Sequence, residues 1–194
     1  MNKLNYFFLL CCSLLLFVSC GKQPEPRHPV EQKSGSFLFN ASIEKNKKIN
    51  KQEETYIKEL IEADSIREYH LSKSGFWYYY VTKDSTNGQS PDVGDRIKFE
   101  YNLSDINGNE ILSTEDIGEQ IYHVDQSNQE LISGIREGLK LMHVGETVTF
   151  LFPSYKAFGY YGYEGYIGPN TPLQSTITLN SIEKSKPKTD YEKE

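Results

Sequence analysis

The sequence has 194 residues, with 21 Lys and Arg against 27 Asp and Glu and a net charge of −6. Without a basic stripe to neutralise phosphates, that balance excludes nucleic acid as a charge-held partner, and it leaves no electrostatic attraction to anionic lipid. The three cysteines stand at positions 11, 12 and 20, which excludes a disulfide framework or a cysteine-based metal centre in the rest of the chain.

The chain opens MNKLNYFFLLCCSLLLFVSCGK. The apolar run from Phe7 to Val18 is about 12 residues, shorter than the roughly 20 a membrane span needs, and has the form of a secretory h-region. Ser19-Cys20 then resembles the bacterial lipobox, with Phe17 where that motif prefers Leu. The expectation is a lipoprotein signal peptide over residues 1–19 and an acylated Cys20; an ordinary signal peptide with incidental cysteines is the alternative. Losing Lys3 with the leader would take the charge from −6 to −7. The roughly 175 residues left suffice for one domain with a sizeable core.

Residues 20–50 are rich in Pro, Lys, Glu and Asn and carry one apolar island, Phe37-Leu38-Phe39, so they are expected to form a tether. Residues 51–74 form the next unit. Within them, Lys51 to His70 set Ile57, Leu60, Ile61 and Ile66 near helical spacing among acidic residues, which predicts an amphipathic helix.

From Gly75 the pattern turns to strands. FWYYYVT (76–82) is aromatic and β-branched, and NGQSPDVGD (87–95) is turn-rich. RIKFEYNLSD (96–105) alternates Ile97, Phe99, Tyr101 and Leu103 with polar residues, a half-buried strand. Asn107-Gly108 is a strong hairpin signal. The nearby Asp105, Asn107 and Asn109 lack the glycine a calcium loop needs, since Glu110 stands there. Residues 129–146 place Ile132, Ile135, Leu139 and Met142 on one helical face, and TVTFLFP (147–153) and STITLNSIEK (175–184) are further strands. The last stretch, 185–194, is a charged tail. The expected class is α+β, with a helix covering one face of the sheet.

AFGYYGYEGYIGP (157–169) interleaves four tyrosines with four glycines. By composition alone it is compatible with a disordered tract, a stacking platform or an ordered loop lining a pocket. No other chemistry stands out. The four histidines show no ligand-like spacing, Glu115-Asp116 reads as a solvated turn, and no phosphate-cradling glycine loop is present. No metal site and no cofactor are expected.

Taken in order, Val93-Gly94-Asp95, Tyr101, Gly108, Ile132, Gly134, Gly138-Leu139, Met142, Val144-Gly145-Glu146, Phe158-Gly159, Gly162, Gly165, Ile167, Pro169 and Leu173 resemble the anchors of the FKBP-type peptidyl-prolyl cis-trans isomerases over residues 75–184. With the lipobox, tether and preceding helix, the chain further resembles the gliding-motility-associated lipoprotein FKBPs of Bacteroidetes. The resemblance implies a bent antiparallel sheet wrapped around a short helix, preceded by an N-terminal helix. It implies a shallow apolar pocket in which Ile132, Ile135, Phe158 and Tyr101 act on an X-Pro amide, the Ile132 backbone N–H being the donor to a ligand carbonyl. Ile111, Leu112, Ile121, Leu131, Tyr163 and Ile167 would contact substrate, and the tyrosine-rich run would be an ordered flap.

The chain departs from the family at four places: Leu112 where an aspartate is usual, Ile135 for tryptophan, Phe158 for tyrosine, and Ser175 where an aromatic is common. Two functions follow from the resemblance. One is a membrane-anchored prolyl isomerase that assists folding of proline-containing envelope or secreted polypeptides. The other is a non-catalytic chaperone or assembly subunit on the same fold. The expected location is the bacterial cell envelope, through the anchor on Cys20.

Overall fold

The computed structural model describes residues 35–84, 88–126 and 131–185; the leader, Cys20, the first part of the tether and the tail beyond Ser185 lie outside the described residues. The chain divides into two compact units, Met1–Asn40 and Ala41–Glu194, and the second contains every strand among the described residues.

Helix α1 spans Gly35–Ala63, which corrects both ends of the expected helix. It begins inside the stretch read as tether, because no proline falls between Pro29 and Pro91 and a run of Lys, Glu and Asn serves an exposed helix as well as a linker. It stops before His70 because Asp64 offers the backbone other bonds. The Asp64 carboxylate accepts from the N–H groups of Ile66 and Arg67, the Arg67 guanidinium and the Tyr69 hydroxyl. Those bonds, that of Ile66 foremost, hold its carboxyl down to about 2. Ile66, placed on the predicted apolar face, is therefore 91% exposed.

Eight strands form one antiparallel sheet: β1 (His70–Leu71), β2 (Trp77–Thr82), β3 (Arg96–Tyr101), β4 (Leu103–Asp105), β5 (Glu110–Leu112), β6 (Gln120–His123), β7 (Thr147–Phe152) and β8 (Leu173–Glu183). Their order is β1-β2-β7-β8-β3-β6, with β4 pairing both β5 and β8. Register shifts at Tyr80/Thr82, Lys98/Phe99 and Leu103/Ser104 mark bulges, which bend and twist the strands they interrupt. The expected strand over 96–105 is thus two strands that share one pattern. The Asn107-Gly108 hairpin forms, and the Asp105 carboxylate accepts from the backbone N–H groups of Asn107 and Asn109.

One sheet face carries Ile97, Phe99, Leu103, Val148, Phe150, Phe152, Leu173, Ile177 and Leu179, all buried in the main core. Against it lies helix α3 (Ser133–Leu139), which ends before the stop expected at His143-Val144-Gly145. Its exit tightens through i→i−3 bonds from Leu141 to Gly138 and from Met142 to Leu139, so Met142 reaches the core from outside the helix. Close approach explains two of its glycines. A Cβ on Gly134 would sit 2.5 Å from the Phe152 ring, and one on Gly138 2.9 Å from the Phe150 ring.

The other face has its own smaller core of Ile57, Trp77, Ile106 and Leu151, with Leu60, Ile61 and Tyr69 packed against it. Helix α1 supplies Ile57 to this core, so β7 is covered on both sides at its end, which accounts for the consecutive apolar Phe150, Leu151 and Phe152. Polar bonds add direction. Tyr56 donates to Asn107 at 2.8 Å, and the buried Glu53 carboxylate accepts from the Ser154 N–H and hydroxyl at 2.7 Å each.

Candidate functional site

A cavity of about 610 Å³ opens beside the main core. Tyr101 and Leu103 enter from β3 and β4, Ile111 and Leu112 from β5, and Asp116 and Ile117 from the short helix α2 (Thr114–Ile117). Phe158, Tyr163 and Tyr166 form the wall supplied by the tyrosine-rich run. Tyr101, Ile111, Leu112, Ile117 and Phe158 pack in turn against the core that contains Ile132, Ile135 and Ile167.

The 157–169 run is ordered. A 3₁₀ turn at Ser154–Lys156 starts it, and Tyr163 and Ile167 close a loop through reciprocal backbone bonds of 2.8 Å each. Gly162 makes that closure possible: its φ is +68°, and a Cβ there would lie 2.2 Å from the Ile167 carbonyl oxygen. The rings of Phe158 and Tyr163 stack at 5.1 Å, and those of Tyr163 and Tyr166 at 5.5 Å. This ladder runs from the half-buried Phe158 out to Tyr166, which is 59% exposed. Tyr160 and Tyr161 pair edge-to-face outside the cleft.

Besides the Tyr163 and Tyr166 hydroxyls in the wall, two groups in or beside the cleft can donate hydrogen bonds. The Ile132 N–H, just before α3, has no acceptor among the described residues, although the Ile132 carbonyl accepts from Arg136. The Tyr101 phenol likewise has no described partner, and burial, then the neighbouring Tyr163, pushes its pKa up, so it remains a donor at neutral pH. Asp116 brings the one carboxylate. Its oxygen accepts from the Ser113 hydroxyl and N–H at 2.8 and 3.0 Å, an arrangement that caps α2 and lowers its pKa. No cluster of three metal-ligating side chains occurs among the described residues. The arrangement can grip an apolar ring, strip water from an amide and hold one carbonyl.

Comparison with known proteins agrees with this architecture. Residues 87–180 match the family described as FKBP-type peptidyl-prolyl cis-trans isomerase. The chain carries an FKBP-type domain. A curated relative, the outer membrane protein MIP of Legionella longbeachae, is 34% identical over 113 residues, covering 58% of this chain and 46% of that protein; the chain thus spans about half the length of the relative it matches. Two solved structures share the fold, each at a TM-score of 0.55. A peptidyl-prolyl cis-trans isomerase of Pseudomonas syringae is 24% identical, with 71% of this chain and 96% of that one covered. FkpA of Escherichia coli is 23% identical, with 94% and 83% covered.

The FKBP-type domain places the expected residues in three settings: lining the cleft, in the core behind it, and in one case outside both. Tyr101, Ile111, Leu112, Phe158 and Tyr163 line the cleft. Ile132, Ile135 and Ile167 lie in the core those residues pack against, and Leu131 packs on its edge. Ile121 does not belong to the cleft and is 52% exposed. On β6, Tyr122 pairs with the buried Ile97, whereas Ile121 pairs with Lys98, so Tyr122 takes the inward face. Neighbouring residues of a strand face opposite ways, so the residue implied by the resemblance points out here. Leu103, Asp116, Ile117 and Tyr166 were missed as lining residues. The spacing Ser113-x-x-Asp116 was the available signal for α2, because such spacing starts helices; Leu103 shared the alternation of Tyr101, and Ile117 had no signal beyond being apolar.

The departures from the family have local consequences. Leu112 and Phe158 together remove an acid and a hydroxyl, leaving the FKBP-type cleft lined by apolar side chains except for Tyr101, Tyr163, Tyr166 and the capped Asp116. Ser175, fully buried, donates its hydroxyl to the Asn102 carbonyl at 2.7 Å. The Asn102 side-chain oxygen in turn accepts from the Thr176 N–H. Ser175 therefore serves the break between β3 and β4.

Proposed function

We propose that this chain is a peptidyl-prolyl cis-trans isomerase. The observation that carries the reading is the apolar cleft of Tyr101, Ile111, Leu112 and Phe158 with the uncommitted Ile132 N–H in the core that backs it. An X-Pro bond turns over a barrier of roughly 18–20 kcal/mol because rotation destroys amide resonance. The twisted amide has lost C–N double-bond character, so a site that binds it more tightly than the planar forms accelerates rotation without a nucleophile or a metal. The cleft would hold the proline ring, exclude the water that stabilises the charge-separated planar amide, and fix one carbonyl on Ile132. A thousandfold acceleration asks for only about 4 kcal/mol of such differential binding.

The test is acceleration of cis-to-trans conversion in a proline-containing peptide by the domain. The expected result is catalysis that Tyr101→Phe and Phe158→Ala reduce; no acceleration at micromolar protein refutes it. Leu112 and Phe158 favour one second reading, a non-catalytic holder of proline-containing chains. That reading requires a domain that suppresses client aggregation while leaving the isomerisation rate unchanged.

The site of action we propose is the cell envelope, with acylated Cys20 as the anchor. Support comes from the apolar leader ending in Ser19-Cys20 and from a relative named as an outer membrane protein. Its clients would be envelope or secreted polypeptides, and the narrower resemblance makes a gliding-motility machinery a candidate assembly. Cys20→Ala should move the protein from the membrane fraction to the soluble fraction; an unchanged distribution overturns the anchor.

A further inference from the structure

Helix α1 contributes more than a spacer would. Its Glu53 is 8% exposed, and no Lys or Arg among the described residues pairs with it. Both carboxylate oxygens are used by one residue, the 2%-exposed Ser154, through its N–H and its hydroxyl at 2.7 Å each. A buried acid costs desolvation that a leucine would not. The apolar attachment of α1 is already supplied by Ile57 and its cluster. What Glu53 adds is direction, since short charge-assisted bonds fix geometry.

The direction is handed on to the cleft. The Ser154 carbonyl accepts from Ala157 N–H at 2.9 Å and from Gly159 N–H at 2.8 Å, so the two residues flanking Phe158 hang from the residue Glu53 holds. Gly159 in turn accepts from Asn170 N–H at 2.8 Å, tying in the far end of the flap. The same turn meets α3, where the Ser133 hydroxyl donates to the Lys156 carbonyl at 3.3 Å, one residue from Ile132. A second strut runs beside the first: the Tyr155 hydroxyl lies 3.1 Å from both the Glu54 carboxylate and the Gly75 carbonyl.

We propose that Glu53 is a positioning residue for the cleft, fixing through Ser154 the turn that carries Phe158. The consequence for turnover rests on the isomerase reading above. The structural part does not.

The experiment uses the full chain as wild type, Glu53→Ala, Glu53→Gln and Tyr56→Phe, the last removing a different tie between α1 and the domain. Three quantities are read: kcat and KM on a proline peptide, the NMR signals of the Ala157 and Gly159 amides and the Phe158 ring, and the urea midpoint. Glu53→Ala is expected to lower kcat about tenfold with KM changed less than about twofold, because the cleft remains apolar while its wall is misplaced. It should also shift all three NMR signals. Glu53→Gln keeps an oxygen acceptor for the Ser154 N–H and should recover most of both. Tyr56→Phe should move neither.

Unmoved flap signals in a folded Glu53→Ala overturn the proposal. So does a Gln variant no better than Ala, or a Tyr56→Phe variant that moves the same signals equally. If Glu53→Ala does not fold, Ser154→Ala removes the hydroxyl alone and must still shift the Gly159 and Phe158 signals; unmoved signals there also overturn it. If the wild type shows no catalysis, the isomerase reading falls and the NMR comparison alone decides the positioning claim.

Discussion

Gly134→Ala is the most direct test of how tightly α3 sits on the sheet. The added Cβ would lie 2.5 and 2.7 Å from two carbons of the Phe152 ring and 2.9 Å from the Lys156 carbonyl oxygen. Phe152 is fully buried and stacks on Phe150 at 5.6 Å, so the ring cannot swing away, and the carbonyl is backbone. Overpacking of this kind costs about 1–3 kcal/mol, and contact with backbone puts Gly134 in the upper half of that range. Alanine returns at most about 1 kcal/mol through helix propensity, and less so near the helix start. The net expectation is a loss of about 1–2 kcal/mol, or a urea midpoint lower by about 0.5–1 M for a slope near 2 kcal/mol/M. Because α3 begins beside Ile132, prolyl isomerisation should fall as well, by more than the unfolded fraction accounts for. An unchanged or raised midpoint would refute the reasoning, since it would mean that α3 can lift off the sheet at no cost.

Other changes separate the two cores and the flap. Gly162→Ala should collapse the Tyr163–Ile167 closure and strip isomerase activity while moving the urea midpoint little; a fully active variant would show that the loop closes without the positive φ. Ile57→Ala, in the fully buried centre of the outer core, should cost about 2–5 kcal/mol, read by the fluorescence of the sole tryptophan, Trp77, in the same cluster. Asp95 makes a pH prediction. Burial raises its pKa, but Lys184 and the N–H groups of Asp92 and Ser185 outweigh that and set it below 3.8. Its contribution is thus complete above the unfolded value and lost as pH falls through the lower folded one. Asp95→Asn should flatten the acid limb of the stability curve below about pH 4, and an identical acid limb would assign acid unfolding elsewhere.

What could be read from the sequence followed periodicity and turn chemistry. The β7 run, the Asn107-Gly108 hairpin and the alternation of Ile97, Phe99 and Leu103 each encode one local structure, and the structure repeats them. Lengths and registers were less legible. A run of Lys, Glu and Asn suits both a linker and an exposed helix, so the start of α1 was hidden. The helix around Ile135 was read too long because Met142 keeps its apolar spacing through tighter turns. Ile121 and Tyr122 are both plausible inward residues, and only pairing with β3 distinguishes them. In the cleft, Tyr101 and Phe158 stand among the ordered anchors, and Ile111, Leu112 and Tyr163 follow from the resemblance those anchors carry. Ile117 and Tyr166 do not, because their place depends on how a cap and a loop closure turn the chain. Glu53 was invisible for a stronger reason: its partner is 101 residues away.

That separation also has a bearing on the order in which the chain folds. Helix α1 leaves the ribosome early, but Leu151 and Ser154, which complete its seat, are made about a hundred residues later. Contacts of such long range carry loop-closure entropy and slow folding. Until β7 is in place, the stripe of Ile57, Leu60 and Ile61 has only Tyr69, Trp77 and Ile106 of its cluster to pack on and lacks Leu151. During that interval part of an apolar stripe lies open, the kind of transiently exposed surface that makes a nascent chain prone to association.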